Sequence, residues 1–231
     1  MRLDTPMPSP PRAASASRVA VSRGDVWAAV AAERRALVDD LHPMPLERWS
    51  TPSLCDGWDV HDVVAHLVDG AHTTRLGFVR RMLLARGDFH RDNATGVRRR
   101  RASDPRVTLA ALADAIDATC TPPAPLATRL VEVYVHSEDV RRPLALPRAY
   151  PTAPVLAALD NQVRTTVAFG GGKEVAQGLT LTPSDTLVSM GSGPRVSGRA
   201  IDLLMAVSGR PVTPGAFSGP GSAEFLARTA P

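Results

Sequence analysis

Glu132 and His136 stand four residues apart in the stretch Leu130-Val131-Glu132-Val133-Tyr134-Val135-His136. On a helix of 3.6 residues per turn they project from one face, about one turn apart, so a carboxylate and an imidazole can grip a single ion. His66 is the third residue of interest. It lies in the apolar helical run Val63-Val64-Ala65-His66-Leu67-Val68, where a buried imidazole needs a partner. A helix bundle can bring the three together. Two imidazoles and one carboxylate leave coordination positions open, as in catalytic rather than structural zinc sites, and the open position can hold water or a thiolate. Spacing alone is weak evidence, because a Glu-x-x-x-His pair is common and a lone histidine on an apolar face is more often a hydrogen-bonded core residue.

Other residues have plainer readings beside their chemical ones. His42, His61, His72 and His90 fall in loops, at a helix start or in polar surroundings and read as solvated surface. Cys55 can be a redox or ligand thiol, but next to Asp56-Gly57-Trp58 it reads as a packed loop residue, with Trp58 locking that loop onto the bundle. Asp62, one turn before His66, either orients that imidazole or meets the positive end of its helix. Asp139 has a choice between His136 and Arg142. Gly170 to Gly172 lack the strand, spacing and lysine of a phosphate loop and read as a linker.

The elements that must position these residues follow from periodicity and breakers. Val26, Trp27, Val30, Ala31, Leu37, Val38 and Leu41 recur at helical steps and predict a helix from Asp25 that stops before Pro43. A structured loop then leads to Asp59, an N-cap with Asp62 three residues on, and a second helix over about Val60 to Ala85. The segment Arg86 to Arg106, with its basic run Arg98 to Arg101, reads as a polar loop. A third helix through Leu109, Leu112 and Ile116 is capped by Thr108. The fourth covers about Leu126 to Arg141 and ends at Pro143, and the fifth runs from Ala153 to Val167. Beyond Gly172, Leu179 to Leu181 and Leu187 to Met190 are strand candidates, Ser197 caps a helix through Val207, and a last helix covers Ser222 to Arg228. Three regions result: a disordered tail over 1–18, a helical bundle over 19–168 and a small α/β domain over 173–231.

Composition narrows the classes of function. The chain has 231 residues, 44% of them apolar and 4% aromatic, which suits a globular protein and offers few stacking platforms for nucleic acid. Its formal charge of +4 is carried almost wholly by arginine, since Lys173 is the only lysine, a bias read here as genomic rather than as a nucleic-acid surface. No apolar run approaches the roughly 20 residues that span a bilayer, and no apolar signal segment opens the chain, so a cytoplasmic protein without membrane or nucleic-acid partners is expected. Cys55 and Cys120 are far apart and form no cysteine-rich zinc motif.

Three segments carry a family resemblance. Pro52-Ser53-Leu54-Cys55-Asp56-Gly57-Trp58-Asp59-Val60-His61-Asp62-Val63-Val64-Ala65-His66-Leu67 resembles the signature that opens the second helix in the mycothiol-dependent maleylpyruvate isomerase family, a branch of the DinB-like metal-dependent bundles. Val135-His136-Ser137-Glu138-Asp139-Val140-Arg141-Arg142-Pro143 is similar to its second signature. Gly193-Pro194-Arg195-Val196-Ser197-Gly198-Arg199, with Leu203, Leu204 and Ser208-Gly209-Arg210, resembles its small C-terminal domain. The resemblance implies a mainly α fold, a DinB-like four-helix bundle followed by a small α/β C-terminal domain. It implies zinc, or another divalent transition metal, on His66, Glu132 and His136. It also implies mycothiol, a low-molecular-weight thiol of actinobacteria, as cosubstrate, activated as a thiolate for isomerisation of, or transfer to, a small electrophile. An arginine of the C-terminal domain is implied to hold substrate; Arg195, Arg199 and Arg210 are the candidates, and Arg199 and Arg210 are taken as the catalytic pair. The expected protein is a monomer or homodimer, with the metal's open position at the cleft between bundle and C-terminal domain. Two alternatives stay open: a non-catalytic module stapled by metal, and a metal-dependent hydrolase.

Overall fold

The computed structural model describes residues 21–213 and 215–229. The tail expected over 1–18 lies outside them. Ten helices and three strands follow one another among the described residues. Helix α1 (Arg23–Leu41) begins where the Ser22 hydroxyl accepts the Asp25 amide at 3.1 Å and buries Val26, Val30, Leu37 and Leu41, the apolar stripe of the sequence. A 3₁₀ turn (Leu46–Ser50) leads into the loop before α2 (Val60–Ala71), which opens on a reciprocal capping box of Asp59 and Asp62. Asp62 therefore serves the helix start. Arg101 ties both carboxylates down, at 2.7 Å from each.

Helix α2 is shorter than its apolar run suggests. It ends at His72, and Thr74 caps a new helix, α3 (Arg75–Leu84), by accepting the Gly77 amide. The segment expected as a polar loop is instead α4 (Phe89–Arg100), capped by Asp88. Its basic run is structural: Arg99 pairs with the buried Asp69 of α2, as does Arg81 of α3 at 2.6 Å, and Arg81 also holds Asp92 of α4. Gly96 permits this, because a Cβ there would overlap the Asp69 carboxylate. Helix α5 (Pro105–Asp114) is capped by Asp104 with proline in the first turn, rather than by Thr108. Thr108 is buried, and its hydroxyl meets Nε2 of His61 at 2.8 Å. His61 is thus a core residue and not surface.

Helix α6 (Thr128–Leu144) carries Pro143 within its last turn and closes on Ala145 in the left-handed region. Helices α1, α2, α5 and α6 pack against one another as the bundle, and α7 (Thr152–Gln162) lies on α6 and α1. Arg141 of α6, 0% exposed, binds Asp40 at 2.7 Å and pairs with Glu33 of α1. After the glycine run come a short α8 (Lys173–Ala176), β1 (Thr180–Pro183), β2 (Met190–Gly191), β3 (Arg195–Gly198), α9 (Ala200–Val207) and α10 (Ser222–Thr229). The sheet order is β2-β1-β3, with β1 antiparallel to β2 and parallel to β3. One hydrophobic core spans both sides of Gly170 to Gly172, joining Val30, Leu130 and Leu159 to Leu181, Val196 and Leu204. No helix among the described residues is long and apolar enough to cross a membrane.

The α3–α4 hairpin owes its place to Asp69. Asp69→Asn should lower the unfolding free energy by about 2 kcal/mol, because it removes the buried charge shared by Arg99 and Arg81 and leaves Arg81 with Asp92 alone. Denaturant unfolding measures the loss, and limited proteolysis should show cleavage within 72–100 before any in α1. Unchanged cleavage there would mean that apolar packing holds the hairpin.

Candidate functional site

Helices α2 and α6 meet in antiparallel register. The rings of His66 and His136 lie 4.7 Å apart and nearly perpendicular, and one turn further along α2 and back along α6, Gly70 faces Glu132. A Cβ at Gly70 would overlap the Glu132 carboxylate, so the glycine is what lets that carboxylate reach across to α2. All three residues singled out by spacing line one cavity of about 810 Å³. Its other walls come from α3 and α4 (Phe78, Phe89), from Pro122 to Pro125 and from the end of α7 through Gly170. Among the described residues none beyond Gly170 lines it, so the C-terminal segment does not form the cleft that was expected.

His66 has no hydrogen-bond partner among the described residues, and Trp58 packs on its ring at 5.2 Å. Burial, with the charges of His136 and Arg129 nearby, pushes it well below the usual histidine range and keeps it neutral, with a lone pair free to bind. Burial alone would push His136 down too, but hydrogen bonds with Asp139 and Cys55 prevail and raise it to about 10. His136 Nδ1 donates to Asp139 Oδ2 at 2.9 Å, so Nε2, which carries a proton while the ring is charged, is the nitrogen on the other side of the ring. Asp139 is 0% exposed. Burial favours its neutral form, yet the bonds from His136 and Arg210 hold its carboxyl well below the usual range.

Arg210 grips Asp139 with two bonds, Nε to Oδ1 at 2.7 Å and Nη2 to Oδ2 at 2.9 Å. It comes from the C-terminal segment and reaches the site from behind, on the Nδ1 side of His136, rather than from the cavity. Arg199 lies elsewhere, exposed on a second cavity beside Arg142 and Asp202. Arg195 is likewise exposed, on β3.

The loop before α2 delivers a residue that spacing left as packing. Leu54 donates its amide to the Asp139 carbonyl, and the turn from Cys55 to Trp58 passes through Gly57 at φ +72°, a conformation that favours glycine. Cys55 Sγ then sits 3.0 Å from Asp139 Oδ2, 3.7 Å from His136 Nδ1 and 3.3 Å from Arg210 Nη2. Cys55, His136 and Asp139 are the described residues whose donor atoms lie within 4.8 Å of one another. They form a possible metal site, although the Arg210 charge already occupies the electrostatic role a cation would play there. The donors of His66, Glu132 and His136 do not all lie within that distance of one another, and Glu132 pairs with Arg129, one turn earlier on α6.

Residues 27–125 match the family model of the Mycothiol maleylpyruvate isomerase N-terminal domain. That match covers α1 to α5, with Cys55 and His66, and stops before Glu132. In overall fold the chain is similar to a crystal structure of the mycothiol-dependent maleylpyruvate isomerase, at 14% identity and TM-score 0.57 over 87% of this chain and 94% of that one. A histidine-to-alanine mutant of that isomerase is similar at 13% identity and TM-score 0.59, with the same coverage. The curated proteins offer no significant match to this sequence. The chain therefore has a mycothiol-dependent maleylpyruvate isomerase-like fold, built on an N-terminal domain of that family's type.

Arg210→Gln should cost about 3 kcal/mol of stability, because it strips a fully buried carboxylate of its two-point partner. Chemical denaturation reads the loss. The same variant should expose Cys55 to faster alkylation, and an unchanged alkylation rate would show that Arg210 does not shield the thiol.

Proposed function

We propose that this protein is a metal-dependent enzyme that uses mycothiol, as a thiolate, on a small electrophile, in an isomerisation or a thiol transfer. The observation that carries the reading is the α2–α6 register, in which two imidazoles and one carboxylate converge on a single cavity. His66, Glu132 and His136 would hold the metal, with zinc the ion best matched to such donors. Their fit rests on this chain's own features: an unpartnered neutral imidazole at His66, a glycine that makes room for Glu132, and Nδ1 of His136 committed to Asp139, so that Nε2 is the atom that would bind the ion in exchange for its proton. When bound, the ion would supply an open position in which a thiol loses its proton near neutral pH.

The remaining work falls to protein groups. Asp139 fixes the tautomer and the ring plane of His136, and Arg210 fixes Asp139. Trp58 covers His66 and limits its rotation. The cavity, with Phe78, Phe89 and Phe169 beside Asn93, Asn161 and Gln162, offers apolar surface and amide groups suited to a polar thiol and a small acceptor. Family likeness supports a cytoplasmic enzyme of this class, at a distance that leaves the acceptor open.

His136→Ala should abolish stoichiometric zinc binding in elemental analysis. Gly70→Ala should weaken zinc by at least about tenfold while leaving the melting temperature equal or higher, since alanine favours the helix but displaces Glu132. With cobalt in place of zinc, mycothiol should produce a sulfur-to-cobalt charge-transfer band. Full metal loading with no such band and no measurable thiol affinity would overturn the thiolate reading.

A further inference from the structure

Three arginines line the cavity, and their counter-ions differ. Arg81 is closed off, with Nε and Nη2 each 2.8 Å from Asp92 and Nη1 2.6 Å from Asp69. Arg164 binds Asp160 at 2.9 Å and is 45% exposed, so water also screens it. Arg129 is 11% exposed, and among the described residues its ion-pair partner is Glu132. Its Nε is buried with no hydrogen-bond partner. Glu132 is thus asked to serve two cations, because it is also the carboxylate of the metal set proposed above.

One carboxylate cannot neutralise both fully. Once Glu132 turns to a divalent ion, Arg129 is left as a poorly hydrated charge on the wall of a partly enclosed cavity, about one helical turn from the metal ligand. A guanidinium presents a planar fork that matches a carboxylate at two points. We propose that Arg129 is the specificity-determining residue of this cavity: it exchanges Glu132 for the carboxylate of an incoming substrate when the metal site fills. The substrate class is then a small electrophile bearing a carboxylate, held at the cavity wall by Arg129, not by Arg199 or Arg210. This inference rests on the metal reading, and it makes metal and anion binding reciprocal, each tightening the other by the same factor.

Calorimetry on the full chain tests it, with zinc and the unreactive dicarboxylate succinate as probes. The zinc-loaded parent should bind succinate, and succinate should tighten zinc. R129Q should weaken succinate by roughly tenfold or more and abolish the coupling, yet bind zinc at least as tightly as the parent because Glu132 is no longer shared. R164Q should leave both affinities close to the parent's. Zinc binding itself reports that R129Q is folded; should it fail to fold, R129K keeps the pair with Glu132 but not the planar fork, and should lose succinate affinity while retaining zinc. Succinate binding or coupling unchanged in the variant would overturn the role of Arg129 and leave the metal site standing. Zinc binding weakened by R129Q would also overturn it, by showing that Arg129 only orients Glu132. A parent chain that binds no zinc would overturn the metal reading and this inference together.

Discussion

A fully buried carboxylate has to find its charge partners, and in this protein that requirement organises the site. Asp139 has no access to water, so it stays ionised only because His136, Arg210 and the Cys55 thiol all turn their donors toward it. Those donors come from three separate places: the helix that carries the site, the C-terminal segment and the loop before α2. Meeting the need of one carboxylate thus fixes the rotamer of His136, seats the loop that brings Trp58 over His66, and binds the C-terminal segment to the bundle. The shared hydrophobic core around Leu159 and Leu204 reinforces the last of these links.

Opposite this anchor, the cavity face of the same helix follows a different logic. Glu132 and His136 repeat at one turn and meet His66 and Gly70 at the same interval on an antiparallel neighbour. Commensurate spacing means that one small residue, Gly70, decides whether the carboxylate can reach the histidines. The two faces of His136 therefore do separate work. Nδ1 is spent on structure, and Nε2 is left for chemistry.

What the sequence made legible was local. The periodic stripe of α1, the capping box at Asp59 and the four-residue step from Glu132 to His136 are short-range patterns, and each appears in the structure. Motif resemblance selected the fold and the C-terminal segment's mixed character, with β1 and β2 near their expected places. What escaped were elements held by distant partners. Helix α4 has almost no apolar stripe and reads as a loop, because Asp69 and Asp59 stabilise it from about 30 to 40 residues away. Arg210 and Asp139 are 71 residues apart, and no spacing rule joins them. The break at His72 was hidden for the opposite reason, since apolar residues continue across it and only the capping hydroxyl of Thr74 marks the restart.

Two donor sets share His136: one on the cavity side with His66 and Glu132, and one behind it with Cys55 and Asp139. X-ray absorption at the zinc edge separates them directly, because sulfur and nitrogen or oxygen neighbours scatter differently. With the metal on the cavity side, the zinc-loaded protein alone should show two imidazoles and light-atom ligands with no sulfur, and adding mycothiol should introduce one sulfur at about 2.3 Å. A sulfur neighbour present before any thiol is added, and lost in Cys55→Ser, would place the metal on the Cys55 side and contradict a site built on His66, Glu132 and His136.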